Sequence, residues 1–390
     1  MNILHIIPGL TRERGGPTAV VQALVRHQIA AGHAVTVLTT DQGLRHGETE
    51  AGLDAQARLD RVTVRGPDRL AYAPAWCGAV REHLRRCDVV HVHSIFTYPV
   101  HVALREALAV GAPVVLRPCG QLHRYSLQRS AWLKGAYLRL WGPLVRRTCT
   151  AWHYTSAQEA AGSWPGDSSR HFVLANGIEP DEFAIDRTAA RQRVGQRWSA
   201  LAGRPFALFL GRLHPKKRLD LLLPAFLAGA PADARLVVAG PDEGGLWPAL
   251  AERWLTARQE ERVVRVGTVG GEVKADLLAA ARVFALPSEH ENFGIAALEA
   301  LAAGTPVLLA PGVDLAADVA AAGWGDPVPL EAAAWGERLA TMLAAPEEEG
   351  RTEKRQRWVA EHYSWARLSA RLEEHYAAVA RRTPARAGRS

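Results

Sequence analysis

Short apolar runs alternate with longer amphipathic stretches along most of the chain, and the two halves repeat the same order. In the first half, apolar runs of strand length stand at residues 2–7, 34–39, 62–64, 88–94, 151–156 and 172–174. In the second half they stand at residues 206–210, 235–241, 263–267, 283–287 and 306–310. Apolar strands separated by helical stretches are typical of parallel sheets with helices on both faces. The pattern predicts an α/β protein with two Rossmann-like domains that face a cleft.

Length and composition fit two ordinary globular domains. At 390 residues the chain exceeds what one hydrophobic core usually serves. It has 48% hydrophobic and 22% charged residues, no apolar run near the roughly 18 residues of a membrane span, and no basic start or cleavage site of a signal peptide. The four cysteines include no Cys-x-x-Cys pair, so we expect buried, inert thiols. These features predict a cytoplasmic protein.

The positive charge of the chain is concentrated in its first half. Residues 1–180 hold 20 Lys and Arg against 13 Asp and Glu, a net of +7, whereas the remaining 27 and 27 cancel. No acid occurs between Glu106 and Glu159, where seven basic residues fall: Arg117, Arg124, Arg129, Lys134, Arg139, Arg146 and Arg147. Residues 126–147 predict one amphipathic helix. Either its apolar face packs on the core and its basic face is exposed to solvent, or the helix is an interfacial element that binds anionic lipid. Nucleic-acid binding is not expected, because no sequence motif of a nucleic-acid-binding domain is recognisable.

Residues 283–304 form the most informative stretch, which predicts a strand, a polar turn and an alanine-rich helix ending at Gly304. At the carboxyl edge of a parallel sheet, this order points the first N–H groups of the helix at an anion. Glu291 and Glu299 bracket the turn and helix, either as ordinary surface carboxylates or as a functional pair. Eight helical residues rise about 12 Å, whereas hydrolytic carboxylate pairs are roughly 5–9.5 Å apart. The spacing therefore favours two contacts along one extended ligand, such as a nucleotide sugar, over a glycosidase-like pair.

This stretch resembles the Glu-x7-Glu signature of retaining glycosyltransferases with the GT-B fold. Its continuation, Ala-Leu-Ala-Ala-Gly-Thr-Pro-Val at residues 300–307, is similar to family 4, the glycosyl transferases group 1. The resemblance implies that Glu291 contacts the donor sugar and that Glu299 holds the ribose hydroxyls. It assigns the other donor contacts of this stretch, mostly backbone N–H groups facing a diphosphate, to Asn292, Phe293, Gly294 and Ile295.

A second matching motif follows the strand at residues 206–210. The family has Gly-Arg followed five residues later by Lys, and Gly211, Arg212 and Lys217 stand in this order. A guanidinium and an ammonium supply fixed positive charge to a diphosphate leaving group without a metal. The resemblance therefore implies no metal and no cofactor, with a UDP- or GDP-hexose as co-substrate. Arg218 stands where the family commonly has Gly, which is a departure from the pattern.

Two loops of the first half carry further candidates. Gly15 and Gly16 lie in a strand-to-helix loop that does not match Gly-x-Gly-x-x-Gly, and the resemblance implies that their backbone contacts the donor. Many relatives have a His-Gly pair beside the donor sugar, but the corresponding residue here is Cys119. Either His123 moves into that space or backbone carbonyls serve alone.

The strand at residues 88–94 carries two histidines on one face. Alternate residues of a strand share a face, so the spacing of His91 and His93 is compatible with metal binding. No carboxylate or thiol stands nearby in the sequence, and we expect no metal there. His93 is then either a substrate-cleft residue or a buried structural histidine.

Residues 175–183 resemble the turn that joins the two domains in this family, with Ala175 in place of its Pro. The implied domains are an acceptor-binding domain at 1–183, a nucleotide-sugar-binding domain at 184–364, a helix at 365–382 that crosses back to the first domain, and a disordered basic tail at 383–390. The implied function is transfer of a hexose, with retention, to a glycan or lipid-linked acceptor in cell-surface polysaccharide or glycolipid biosynthesis. The expected place is the cytoplasm or, peripherally, the inner face of the cytoplasmic membrane. A non-catalytic nucleotide-sugar-binding protein and a sugar-nucleotide epimerase are the alternatives.

Overall fold

The chain divides into two compact units, each with one parallel sheet. The structure is a computed structural model that describes residues 1–11, 16–44, 52–66, 70–165, 170–242, 244–346 and 350–382. The first unit holds residues 1–177 together with the chain from Trp365 onward, and the second unit holds residues 178–364. Each sheet is all-parallel, as the alternation of strands and helices predicts.

The strands of the first unit form a seven-stranded sheet. They are β1 Asn2–Gly9, β2 Ala34–Thr40, β3 Arg58–Val62, β4 Val89–His93, β5 Val114–Arg117, β6 Cys149–Tyr154 and β7 His171–Val173. Their order in the sheet is β3-β2-β1-β4-β5-β6-β7. Strands β4 and β5 are buried at every residue, because the middle of a parallel sheet is covered on both faces.

The second unit has a five-stranded sheet. Its strands are β8 Phe206–Leu210, β9 Arg235–Ala239, β10 Val263–Gly267, β11 Val283–Leu286 and β12 Val307–Leu309. Their order is β10-β9-β8-β11-β12, so β8 and β11 are neighbours although they are far apart in the chain. The loops that follow these two strands therefore meet at the carboxyl edge of the sheet.

The helices pack against the faces of the sheets. In chain order they begin in the first unit with α1 Gly16–Ala30, α2 Trp76–Arg86, α3 Tyr98–Val110, α4 Arg124–Gln128, α5 Ala131–Thr148 and α6 Ala157–Gly162. The second unit has α7 Arg187–Arg197, α8 Leu219–Gly229, α9 Leu246–Trp254, α10 Ala257–Glu260, α11 Gly271–Ala280, α12 Ile295–Ala302, α13 Leu315–Ala321, α14 Ala332–Ala344 and α15 Arg351–Tyr363. The chain then returns to the first unit with α16 Trp365–Arg382.

The two faces of the first sheet differ in character. One face buries large apolar side chains, among them Trp152 and Tyr154 of β6, together with Trp76 of α2. The other face is in contact with α16 and carries alternate residues of the same strands, including polar ones such as His5, His91, His93, Arg117 and His153. Polar groups so placed need hydrogen-bond partners within the unit.

The division between the units lies after Gly177, not after Phe183 as the sequence predicts. Ile178 N donates to Tyr363 O at 2.9 Å, and Ile178 pairs with Ser364. These contacts tie residue 178 to the end of the second unit. Gly177 instead packs against Trp365, since a Cβ there would lie 2.7 Å from the indole ring.

Two elements of the first unit differ from their prediction. The segment 126–147 forms two helices, because Ser130 between α4 and α5 has a φ of 58°, in the left-handed region. Strand β3 lies at Arg58–Val62 rather than at 62–64, since a half-exposed edge strand has no continuous apolar run. None of the helices in the described ranges is long and apolar enough to span a membrane.

Candidate functional site

The loop between β11 and α12 holds Glu291 in a fixed backbone. Glu291 N donates to Gly312 O at 2.8 Å, and Asp314 N donates to Glu291 O at 3.2 Å. Gly294 precedes the helix with a φ of 95°, and a Cβ there would lie 2.8 Å from Val313. Only glycine fits this position without strain. The first bond of the helix runs from Ala297 N to Gly294 O at 2.9 Å, so the amides of Ile295 and Ala296 precede the helical hydrogen bonds of α12.

The spacing of Glu291 and Glu299 was interpreted above for a single helix, but the two residues do not lie on one helix. Helix α12 begins at Ile295, so only Glu299 is helical. The rise of about 12 Å expected for eight helical residues therefore does not describe this pair. Each carboxylate instead has its own lysine, Lys217 for Glu291 and Lys274 for Glu299.

Lys217 and Glu291 form an ion pair between the loop after β8 and the loop after β11. The Lys217 ammonium also lies 3.7 Å from the point that a Cβ would occupy at Gly211. Burial works to raise the pKa of Glu291, but Lys217 and then Lys216 outweigh it and hold that pKa below its ordinary value. Glu291 is therefore ionised at neutral pH. Three residues that the sequence predicts for one site thus come together at the carboxyl edge of the second sheet.

Arg212 is exposed and directly follows a tightly packed glycine backbone. Gly211 N donates to Ala239 O at 3.0 Å, and a Cβ at Gly240 would lie 2.0 Å from Gly211 O. Gly240 also has a φ of 127°, a value that residues other than glycine rarely adopt. The ends of β8 and β9 are therefore held in close contact just before Arg212.

Arg218 links the two loops that carry Lys217 and Glu291. Its φ of 54° lies in the left-handed region, which explains why a Gly would also suit this position. Its Nη1 donates to Glu289 Oε1 at 3.1 Å and its Nε to Asp220 Oδ1 at 3.1 Å. The sequence gives no signal for the contact with Glu289, because the two residues are far apart in the chain.

Glu299 is held by a lysine that no sequence motif singles out. Its Oε1 lies 2.8 Å from Lys274 Nζ, and that ammonium stands 5.4 Å from the centre of the Phe183 ring. Burial raises the pKa of Glu299, and Lys274 opposes the rise without cancelling it. Lys274 is thus a positioning contact from α11 that sequence reasoning missed.

The remaining residues of the predicted turn differ in how deeply they are buried. Phe293 is buried, and its ring centre lies 5.9 Å from that of Tyr363. Leu315 N donates to Phe293 O at 3.1 Å, which adds to the bonds that fix the loop. Asn292 and Ile295 are half-buried at the same turn. The contacts assigned to these residues with a donor stay predictions.

The candidates of the first unit lie in separate loops. Gly16 is the exposed first residue of α1, and Gly15 lies outside the described residues. His123 caps α4, where its Nδ1 accepts from Tyr125 N at 3.3 Å. A Cβ at Gly162 would lie 2.1 Å from His123 Nε2, so the ring is packed against α6. Burial and then Arg124 lower the pKa of His123, and a place beside the donor sugar stays a prediction.

The cysteines are free thiols in different environments. Cys87 and Cys149 are buried as predicted, whereas Cys77 and Cys119 are half-buried. Cys119 has a φ of 53°, and its Sγ donates to Arg117 O at 3.5 Å. Burial of the thiol raises the pKa of Cys119, which keeps it protonated at neutral pH.

Four histidines of the first unit belong to a buried hydrogen-bond network. His153 Nε2 lies 2.9 Å from Leu174 O, and because a carbonyl only accepts, this nitrogen carries the proton. In the neutral ring, His153 Nδ1 then accepts from His91 Nε2 at 3.3 Å. His91 Nδ1 in turn accepts from the Tyr376 hydroxyl at 2.7 Å. The network therefore joins α16 to the sheet.

The second part of the network starts from Gln28 of α1. Its Nε2 donates to the Tyr376 hydroxyl at 3.4 Å, and its Oε1 accepts from His5 Nε2 at 2.8 Å. His5 Nδ1 accepts from His93 Nε2 at 3.0 Å. Ring nitrogens of His5, His91 and His93 lie within 4.8 Å of one another, a spacing that a metal could use. In the network, both ring nitrogens of His5 and His91 and Nε2 of His93 have hydrogen-bond partners. The full burial of His93 favours the structural histidine over the cleft residue.

These histidines predict a loss of stability in acid. Burial lowers the pKa of His5 to about 4 and that of His153 to about 3, against about 6.5 in an unfolded chain. Since the folded state then binds fewer protons than the unfolded state, the free energy of unfolding falls as the pH drops below about 6.5, until the folded pKa values are reached. One pKa unit is worth about 1.4 kcal/mol, so His5 alone accounts for about 3 kcal/mol.

Urea unfolding at about pH 7.5, 6 and 4.5, followed by circular dichroism, measures this slope. His5→Gln should flatten the slope, because one titrating ring is removed. His362→Gln is the matched control, since His362 is exposed and belongs to the second unit. Equal slopes for wild type and His5→Gln would contradict the role assigned to His5.

Two glycosyltransferase family models match the chain in succession. The "Glycosyl transferase 4-like domain" matches residues 15–177, and "Glycosyl transferases group 1" matches residues 193–365. The GDP-mannose:cellobiosyl-diphosphopolyprenol alpha-mannosyltransferase of Xanthomonas campestris is 27% identical over 404 aligned residues, which cover 97% of each chain. The D-inositol 3-phosphate glycosyltransferase of Xylanimonas cellulosilytica is 32% identical over 244 residues, 59% of this chain and 56% of that relative.

Solved structures share the fold over nearly the whole chain. A sucrose-phosphate synthase from Thermosynechococcus elongatus has a TM-score of 0.79 at 19% identity, and covers 98% of this chain and 100% of its own. Anabaena HepE, solved in complex with UDP and glucose, has a TM-score of 0.75 at 17% identity, with 97% and 100% covered. The fold is thus that of the GT-B glycosyltransferases. The chain itself belongs to family 4, the glycosyl transferases group 1, whose models match its two halves in order.

Proposed function

We propose that this glycosyltransferase is a retaining enzyme that takes a hexose from a nucleotide-diphosphate sugar. The observation that carries the proposal is the Lys217–Glu291 ion pair beside Gly211, in the loops that lead to Arg212 and to the start of α12. An ammonium, an exposed guanidinium and the first amides of a helix supply the positive charge that a diphosphate needs. By the pattern of the family, Glu291 contacts the sugar and Glu299 the ribose.

In the proposed reaction the acceptor hydroxyl attacks the anomeric carbon from the side of the leaving group. The bond from the acceptor oxygen to that carbon forms as the bond from the carbon to the phosphate oxygen breaks, and the leaving diphosphate takes the acceptor's proton. Arg212, Lys217 and the start of α12 stabilise the charge that grows on the diphosphate. The proposal requires no protein nucleophile, and it uses these fixed charges in place of a metal.

The relatives indicate which substrates to test first. The relative from Xanthomonas campestris is named for GDP-mannose and a cellobiosyl-diphosphopolyprenol acceptor, and HepE was solved with UDP and glucose. The proposed donor is therefore a GDP- or UDP-hexose. The proposed acceptor is a glycan or a lipid-linked sugar in cell-surface polysaccharide or glycolipid biosynthesis.

A thermal-shift screen with GDP-mannose, UDP-glucose and ADP-glucose tests the donor. A ligand at 100 times its Kd stabilises the folded state by about 2.7 kcal/mol, so a true donor should raise the Tm of wild type and do so less for Lys217→Ala. No shift with any of these sugars would count against the proposal.

With the donor known, the anomeric configuration of the product, read by nuclear magnetic resonance, should match that of the donor. Binding without transfer to any acceptor would favour the non-catalytic alternative, and an altered nucleotide sugar formed without acceptor would favour the epimerase.

Helix α5 carries an exposed surface that suits a membrane interface. Trp132 is 76% exposed and Leu140 is 70% exposed, and their spacing of eight residues keeps them on one side of the helix. The large apolar side chains exposed along this segment are Tyr125, Trp132, Leu133, Leu140 and Trp141. The buried side of α5 is formed by Gly142, Val145 and Thr148, so the exposed apolar groups are not part of the core.

Basic side chains accompany this apolar surface. The exposed arginines of the segment are Arg124, Arg129, Arg139, Arg146 and Arg147. Lys134 is not one of the outward charges, because its Nζ donates to Ser126 O and lies 5.6 Å from the Phe96 ring centre. Each Lys or Arg near an anionic bilayer contributes about 1 kcal/mol to the free energy of membrane binding. Exposed Trp and Leu side chains contribute further by inserting into the apolar part of the bilayer. We therefore propose peripheral binding at the inner face of the cytoplasmic membrane, where a lipid-linked acceptor would be reached.

Vesicle co-sedimentation tests this surface. Wild type should bind anionic vesicles at low salt and lose binding as salt rises, because the screening length falls from about 10 Å at 0.1 M to about 3 Å at 1 M. A variant with Arg129, Arg139 and Arg147 changed to Gln should bind several-fold less. The matched control changes three exposed arginines of other helices, Arg85, Arg86 and Arg371, and should bind as wild type. If the two variants bind equally well, the segment is only a solvated helix face.

A further inference from the structure

Arg218 stands directly after the lysine of the proposed diphosphate contact and joins the loop after β8 to the loop after β11. Its Nη1 donates to Glu289 Oε1 at 3.1 Å, while Lys217 pairs with Glu291 of the same loop. The backbone adds a third contact, because Glu289 N donates to Lys216 O at 2.8 Å. The residues on both sides of Lys217 are thus bound to one residue of the other loop, Glu289.

The two ion pairs differ in exposure. Lys217 and Glu291 form the inner pair, with side chains that are 12% and 22% exposed. Arg218 and Glu289 form the outer pair, with side chains that are 26% and 40% exposed. An ion pair as exposed as the outer pair contributes little to the free energy of unfolding. Its distinctive feature is its place beside the inner pair.

The loop of Lys217 depends on contacts that span the two loops. The backbone of Glu291 is fixed by its bonds to Gly312 and Asp314. Lys217 ends a short 3-10 turn, and its amide donates to the residue that caps this turn, His214 O at 2.8 Å. Bonds within the turn fix its shape but not its distance from Glu291. The outer pair and the backbone bond beside it span the two loops and so fix that distance.

We propose that Arg218 is a positioning residue, which sets Lys217 in place for the donor diphosphate before the donor binds; this inference rests on the proposed function. A lysine ammonium is a point charge on a flexible stem, so its place depends on the backbone that carries it. A guanidinium can bond two acids at once, and Arg218 does so, since its Nε also donates to Asp220 Oδ1 at 3.1 Å. A catalytic group displaced by about 1 Å can cost about 100-fold in rate.

The left-handed backbone of Arg218 permits a clean substitution. Its φ of 54° suits glycine, so Arg218→Gly removes the side chain without straining the turn. With the donor that the thermal-shift screen selects, Arg218→Gly should lower kcat/KM by about 3- to 30-fold. Arg218→Lys keeps a positive charge near Glu289 and should recover part of this loss. Unchanged kcat/KM in Arg218→Gly would overturn the proposal.

Matched changes at the two partners of Arg218 show which contact matters. Glu289→Gln and Asp220→Asn each remove one negative charge and keep the size of the side chain. Asp220 lies in the first turn of α8 and not in the loop after β11. Glu289→Gln should therefore reproduce the loss seen in Arg218→Gly, whereas Asp220→Asn should stay within about twofold of wild type. Equal losses in the two variants would refute the role of the outer pair.

The pH profile gives a readout that a general loss of stability would not move. Burial raises the pKa of Glu291, and Lys217, Lys216 and His290 lower it. If Arg218→Gly lets Lys217 move away, the pKa of Glu291 rises and the acid limb of activity moves to higher pH, by less than in Lys217→Ala. An acid limb at the same pH as in wild type would contradict the proposal.

A double-mutant cycle tests whether Arg218 acts through Lys217. In the Lys217→Ala protein, adding Arg218→Gly should change kcat/KM by less than about twofold, because the group to be positioned is absent. A purely structural role of Arg218 would instead lower kcat/KM by the same factor in both proteins, and this result would overturn the proposal. If Lys217→Ala alone leaves transfer unchanged, it is the proposed function that fails.

Discussion

Lys217→Ala is expected to lower kcat/KM for transfer by about 30- to 1,000-fold, or about 2–4 kcal/mol of transition-state stabilisation. The ammonium lies between Glu291 and the Gly211 backbone, where the proposed diphosphate gains negative charge as it leaves. Arg212→Ala removes the neighbouring guanidinium and is expected in the same range. The measurement is steady-state transfer from the donor that the thermal-shift screen selects.

Lys216→Ala is the matched control for this prediction. Lys216 adds to the charge around Glu291, but the ion pair is made by its neighbour, so a loss of less than about tenfold is expected. The pH profile gives a second readout. Without Lys217, burial raises the pKa of Glu291, and the acid limb of activity should move to higher pH. Near-normal turnover in both Lys217→Ala and Arg212→Ala would refute the diphosphate assignment.

Glu299→Ala is expected to weaken the binding of the bare nucleoside diphosphate by about 10- to 100-fold, with a smaller effect on the chemical step. A hydrogen bond to a charged group is worth about 1.5–3 kcal/mol, and the proposal gives Glu299 the ribose hydroxyls. Glu291→Gln is expected to show the reverse, a larger loss in turnover than in nucleotide affinity, because the sugar is absent from the bare nucleotide. Calorimetry with the nucleoside diphosphate and turnover measurements together separate the two roles.

Lys274→Met provides a control for Glu299→Ala. It removes the partner of the carboxylate and keeps the carboxylate itself, so it should weaken nucleotide binding less than Glu299→Ala does. Equal losses of nucleotide affinity in Glu291→Gln and Glu299→Ala would contradict the division of roles between the two acids.

The buried strands could be predicted from the sequence because their apolar runs are continuous. Strand β8 lies at Phe206–Leu210, as predicted, and β11 differs from its prediction only at its last residue. The edge strand β3 was misplaced, since its residues are mostly half-exposed and include Arg58 and Asp60. The break between α4 and α5 at Ser130 was not predicted, because a single residue with a left-handed backbone does not change the amphipathic pattern of the sequence.

The site could be predicted only as far as topology and motif determine it. Lys217 and Glu291 meet because their loops follow neighbouring parallel strands, which the alternation of strands and helices already suggests. The pairing of Glu299 with Lys274 has no local signal, since it depends on how two helices pack. The histidine network is a similar case: the sequence places His91 on one face of its strand, but its partner Tyr376 stands 285 residues away.

The bond between Tyr376 and His91 joins two segments of the first unit that flank the second unit in the sequence. On the ribosome, the second unit has its whole sequence once residue 364 has been made, whereas the first unit still lacks the helix that carries Tyr376. The part of the protein that is synthesised first is therefore completed last. A chain that stops before Tyr376 deprives His91 Nδ1 of its donor, so a truncation after the second unit is expected to damage the first unit.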